Sequence, residues 1–210
     1  MRTFIALMFL LVANAGPPRE VLRPSLIGIE PLHTQFAEVG RILGAAPWAR
    51  LESGGESRPV VMCYSSIRRD AFLLVESDAA GGYGEQEVTG FVLTEREPKL
   101  REDTRGTDRS SPAVASNLCR ESALVSRGLQ FSNGLRLGMT QAQVLALLGP
   151  PTSTRDATLT YRRDDRRGPP DAGPGSPRGG GSQAEDYAVV EVEVKDDHVY
   201  AVRVDRSNMF

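Results

Sequence analysis

Gly134-Leu135-Arg136-Leu137-Gly138-Met139-Thr140-Gln141-Ala142-Gln143-Val144-Leu145-Ala146-Leu147-Leu148-Gly149-Pro150-Pro151-Thr152 is the stretch from which the fold is read. Thr140 is a good helix N-cap, and Gln143, three residues on, completes a capping box. Met139, Val144, Leu147 and Leu148 make an apolar stripe, and Gly149 with two prolines stops the helix. A helix this short is marginal alone, so the stripe has to lie against another element.

Working outward, the same order of features occurs earlier in the chain. Gly28-Ile29-Glu30-Pro31-Leu32-His33-Thr34 aligns with 134–140, Val39 to Gly44 with Val144 to Gly149, and Pro47 with Pro150-Pro151. Tyr64, ending Val60-Val61-Met62-Cys63, answers Tyr161, which ends Thr158-Leu159-Thr160. Phe72 to Glu76 aligns with Ala188 to Val192, and Val88 to Leu93 with Val199 to Val204. A duplication is the reading of this order. The first helix then uses Thr34 as its cap and Phe36, Val39, Ile42 and Leu43 as its stripe.

The strands supply the surface for those helices. Val190, Val192 and Val194 alternate with Glu191, Glu193 and Lys195, a period of two, and Asp196-Asp197-His198 is a hairpin turn. The expected fold is therefore α+β: two tandem repeats, each a short helix or helix pair packed on one face of an antiparallel sheet. The domain reading is 1–15 signal peptide, 16–95 first repeat, 96–127 linker and disulfide-tethered segment, and 128–210 second repeat. Within the last, 163–186 is read as a disordered loop, because its Gly-Pro run has nothing to bury. The Ala113 to Leu124 segment is read as a short helix.

Arg2, the apolar run Phe4 to Val12 and the small-x-small Ala13-Asn14-Ala15 predict an exported chain cleaved between Ala15 and Gly16. That run is far short of the roughly 20 residues that span a bilayer, and no other long apolar stretch follows, so no membrane span is expected in the mature chain. Periplasm or exterior, in association with the outer membrane or not, is the expected location. The formal charge of −2 becomes one unit more negative once Arg2 is removed, which argues against nucleic acid as a partner. In an oxidising compartment Cys63 and Cys119 are expected to pair, a bond contributing about 2–4 kcal/mol.

The segment 134–140, with Val144 and Leu148-Gly149-Pro150-Pro151-Thr152, resembles the opening of the SmpA/OmlA repeat of small outer-membrane assembly lipoproteins. In its duplicated, exported, two-cysteine layout the chain is similar to the β-lactamase inhibitory proteins, where that unit occurs in tandem. The resemblance implies a helix-plus-sheet fold and a role in binding other proteins. It departs from the lipoproteins in having no N-terminal cysteine to acylate, and no inhibitor contact loop can be matched.

Catalytic chemistry finds little footing. His33 precedes a helix cap where the second repeat has Met139, and His198 sits in a turn. Two separated histidines make no metal site, Gly81-Gly82-Tyr83-Gly84 reads as a hairpin loop, and Ser65-Ser66 lacks an elbow motif. No cofactor, metal or catalytic residue is expected. The function read from the sequence is a non-catalytic periplasmic or secreted protein-binding module of the cell envelope, its partner another envelope or secreted protein. The alternative is a small envelope hydrolase with a site between the repeats. With Tyr200, Val202 and Val204 placed under the helix and Val199, Ala201 and Arg203 opposite, the candidate binding face is Glu191, Glu193 and Arg203, with Tyr64 and Tyr161. Trp48 is expected to be a core plug.

Overall fold

A computed structural model describes residues 22–52, 59–78, 86–102, 118–166 and 185–209. Residues 1–15, read from the sequence as a signal peptide, the glycine cluster 81–84 and most of the Gly-Pro segment lie outside the described residues. Ten strands are β1 (Trp48–Leu51), β2 (Val60–Ser65), β3 (Phe72–Ser77), β4 (Gly90–Thr94), β5 (Leu100–Glu102), β6 (Cys119–Glu121), β7 (Ser153–Arg155), β8 (Thr158–Arg166), β9 (Glu185–Lys195) and β10 (His198–Met209). The two helices are α1 (Phe36–Leu43) and α2 (Gln141–Leu148).

These strands form one sheet, in the order β5-β1-β2-β3-β4-β10-β9-β8-β7. All these pairings are antiparallel. β6 lies off that path and runs parallel to β2. It takes the edge of β2 at Cys63 to Ser65, beyond the Val61 and Met62 that pair with β1. The α+β arrangement of two tandem helix-on-sheet repeats is therefore corrected: the chain is mostly antiparallel sheet, continuous from one half to the other, with only two eight-residue helices among the described residues. The join is β4 with β10, where Gly90–Thr94 pairs with Ala201–Asp205. Its physical cause is that a strand edge left open wastes a row of backbone donors and acceptors, and two such edges satisfy one another. Periodicity in the sequence reports faces and is silent about edges.

One apolar cluster occupies one face of the sheet. Leu73 and Val75 of β3, Phe91 and Leu93 of β4, Val202 and Val204 of β10 and Val190 and Val192 of β9 belong to it, with the buried residues of both helices. Irregular chain adds Leu22, Leu26, Ile29, Phe131, Leu135 and Leu137. Tyr64 and Tyr161 lie in the same cluster and are fully buried. Each phenol donates to the carbonyl of the glycine that ends a helix, Tyr64 to Gly44 at 2.9 Å and Tyr161 to Gly149 at 3.2 Å. Trp48 is half-buried against this core, edge-on to Phe36 with centroids 5.8 Å apart.

The capping box of α2 is present, with Thr140 Oγ1 accepting from the Gln143 amide and Gln143 Oε1 accepting from the Thr140 amide. α1 differs: its N-cap is Gln35, which makes no side-chain cap. Thr34 instead turns its hydroxyl back to accept from the Glu30 amide at 3.0 Å. The α2 stripe is also narrower than read, because Val144 and Leu148 are buried while Leu147 is exposed. Around Cys119 the chain is strand β6, so the short helix expected over 113–124 is corrected in its described part. β8 and β9 reach Arg166 and start at Glu185, so paired strand extends into the segment read as a disordered loop from 163 to 186.

Candidate binding face

The second face of the sheet is built by the alternate residues of the central strands. Backbone register aligns them in rows that cross β3, β4, β10 and β9. One row is Phe72, Thr94, Ala201 and Glu193; the next is Leu74, Val92, Arg203 and Glu191; the third is Glu76, Gly90, Asp205 and Val189. Toward β1 this face carries a small buried cluster of Ala49, Val61 and Leu74, flanked by Leu51, Val92, Leu100 and Leu118.

Over the first two rows lies an open groove of about 790 Å³. Leu51, Leu74, Val92, Tyr200 and Ala201 supply its apolar lining, and Glu52, Arg96, Glu97, Lys99, Glu193 and Arg203 its charges. Tyr200 reaches this groove through an irregularity in β10. The β9–β10 register shifts between Val199 and Ala201, so Val199 joins the core while Tyr200 and Ala201 both line the groove. The expectation that Tyr200 packs under the helix and Val199 faces away is thus reversed. A bulge adds one residue to the strand and resets the alternation on one side of it.

Below the groove a charge network closes the third row. Arg203 Nη2 donates to Glu76 Oε2 at 2.9 Å, and Arg203 Nε to Asp205 Oδ2 at 2.6 Å. Glu76 is only 1% exposed, and its Oε1 accepts from no donor among the described residues. Burial pushes the Glu76 carboxyl up to about 7 against the pull of Arg203; the charge of Asp205, a hydrogen bond with it and the charge of Asp78 push the same way. Burial alone would weaken the hold of Arg203 on its proton, but the Asp205 hydrogen bond and the charges of Glu76, Asp205 and Glu191 outweigh it and raise its pKa. Gly90 makes the approach possible. A Cβ there would stand 2.4 Å from the Val204 carbonyl oxygen and 3.0 Å from Asp205 Oδ1.

Of the five residues read as a binding face, Glu193 and Arg203 line the groove and Glu191 lies beside Arg203 in the next strand. Tyr64 and Tyr161 are corrected: they sit in the core on the opposite face, where burial pushes the Tyr64 phenol up to about 12 and also raises that of Tyr161. Each therefore stays protonated as a donor to its glycine carbonyl. Both tyrosines end a strand-like run, and nothing in that pattern states which face the ring takes. Sequence reasoning missed Leu51, Leu74, Val92 and Tyr200, because an apolar residue on a second face reads as core. His33 and His198 are both exposed, His33 lining a separate hollow with Arg23 and Glu30, and His198 holding the Asp196 carbonyl through Nδ1 at 2.7 Å.

Cys63 and Cys119 form a disulfide, their Cα atoms 4.4 Å apart where β2 and β6 pair. Among the described residues no helix is long and apolar enough to cross a membrane, and no group of three or more His, Cys, Asp or Glu could hold a metal ion. Compared with known proteins, the chain matches no family model, no curated protein and no solved structure.

Proposed function

We propose that the protein is a non-catalytic binding module of the cell envelope or exterior, and that the groove across β4 and β10 receives a segment of a partner protein. The observation that carries this reading is the composition of the groove. An apolar floor with one aromatic side chain, ringed by charges of both signs, is the anatomy of a protein-binding surface with a dry centre and a polar rim. The lining is shallow and spread over several strands, unlike a pocket in which a few polar groups converge on one reacting atom. The Arg2 to Ala15 signal pattern and the disulfide point to an oxidising compartment. The resemblance of 134–152 to the SmpA/OmlA repeat points toward the same binding class.

The experiment is affinity capture from envelope extract with the mature chain tagged at its C-terminus, beside a Tyr200→Ala, Glu193→Lys variant. Arg203 is left in place, since its removal would strand the buried Glu76 carboxylate and cost stability. A partner captured by the parent chain and reduced at least about tenfold on the variant supports the groove, an effect of some 1.4 kcal/mol. Equal capture by both chains would put the contact elsewhere.

A further inference from the structure

Arg203 ties the groove to the buried carboxylates beneath it. The side chain lines the groove on one side and on the other donates to Glu76 Oε2 and Asp205 Oδ2. The groups that face Glu76 are few. β10 brings Arg203 and Asp205, the residue after β3 brings Asp78, and β9 sets Glu191 against Arg203. Opposite Glu76 in register stand Val61 of β2 and Gly90 of β4, and neither carries a charge.

With Glu76 ionised, two carboxylates share one guanidinium at a site where Glu76 is 1% exposed and its Oε1 has no donor among the described residues. One proton on Glu76 balances that cluster, and burial together with a second carboxylate favours keeping it. The carboxyl accordingly lies above the ordinary carboxylate range, at about 7. Gain or loss of this proton changes the charge beneath the groove by one unit, whatever the standing charge of the face. The standing charge at this end is negative. Glu193 is exposed and in no ion pair among the described residues, and Glu191 lies beside an Arg203 already matched by Asp205. Arg162 of β8, two strands from Asp205 in register, stacks over the Tyr187 ring at 4.7 Å, and Arg96 and Lys99 line the groove from the loop after β4.

We infer that the cluster of Glu76, Arg203 and Asp205 is a proton-operated switch beneath the groove, whose partner segment sets a basic side chain against Glu193 and Glu191 and is held more tightly once Glu76 releases its proton. The inference rests on the groove reading and adds to it the charge of the partner and the control of its affinity. Burial makes the added charge effective, because a charge lodged under the floor is less screened by salt than one on the rim. Geometry keeps the device local: Gly90 lets Asp205 approach Glu76, and Arg203 carries the change to the groove surface.

The test follows the Glu76 carboxyl carbon shift from pH 5 to 9 in the full, isotope-labelled chain. In parallel, the peptide Ac-Leu-Lys-Leu-NH2 is titrated at pH 5.5 and 8.5 with the Val92, Glu193 and Ala201 amides as readout. The expected midpoint is about 7, and Asp205→Asn should lower it by removing the second carboxylate. The peptide should bind at least about threefold more tightly at the higher pH. Neutral Ac-Leu-Gln-Leu-NH2 should bind equally at both, and so should the lysine peptide on Glu76→Gln. That variant keeps His33 and His198, so any titration of theirs is common to both proteins. A Glu76 midpoint in the ordinary carboxylate range, or a pH gain that persists in Glu76→Gln, would overturn the switch and leave the groove standing. A midpoint near 7 with no saturable shift at these amides at either pH would remove the groove reading and the switch with it.

Discussion

Glu76 and Gly90 show how much a single position on the second face decides. Glu76 reads in the sequence as the polar end of an apolar strand, yet it is buried beside Asp205 and Arg203 because Gly90, between them in register, has no side chain to hold them apart. With its carboxyl raised to about 7, Glu76 keeps a proton in the folded state that the unfolded chain has released. The sign follows: the folded state binds more protons between the ordinary carboxylate range and about 7, so this group's stabilising contribution is present at low pH and is lost as pH rises through about 7. Glu76→Gln should remove that loss, on the order of 2 kcal/mol in the difference between variant and parent on going from pH 5 to pH 8, measured by urea unfolding at both. An unchanged pH slope would show that Glu76 ionises normally. Gly90→Ala should cost at least about 2 kcal/mol by thermal unfolding, since the added carbon meets strand backbone and not a flexible tip. Neither role was legible: sequence states that a glutamate and a glycine are there, and the register that sets them side by side is a tertiary fact.

At the scale of elements the local chemistry was legible where it is short-range. The α2 capping box depends on residues three apart, and the hairpin after Lys195 turns through Asp196 and Asp197, both in the left-handed region that short polar residues tolerate. Thr140→Ala should therefore lose about 1 kcal/mol of stability. α1 carries Gln35 at its N-cap, whose side chain caps nothing, so Gln35→Ser should gain about 0.5–1 kcal/mol by the same urea assay. No change in the second variant would mean that another acceptor or water already satisfies that helix end. The bulge at Val199 to Ala201 was not legible, because alternation was carried straight through it. One extra residue moved Tyr200 from the expected core to the groove and Val199 the other way.

For the whole molecule, the sequence pattern identified both helices, the pairing of Cys63 with Cys119 and most of the strands, but divided them between two sheets. What it lacked was the β4–β10 pairing, which turns two half-sheets into one and creates the second face on which the groove lies. It also did not place the irregular segments in the core, although Phe131, Leu135 and Leu137 lie there, because without a period an apolar residue in a loop carries no directional information. The disulfide belongs to this scale as well. It closes a long stretch of chain and ties β6 to β2, so the Cys63→Ala, Cys119→Ala variant should lose about 2–4 kcal/mol and show faster amide exchange in the 66–70 and 122–128 turns. The most direct measurement of the central claim, that this face is where a partner binds, is site-specific photocrosslinking in envelope extract with the photoreactive residue placed at Tyr200, and at Ala146 on the exposed side of α2 as the comparison. One partner protein should be joined through position 200 and none through 146; adducts of equal yield at both positions, or none at 200, would contradict a partner site on this face.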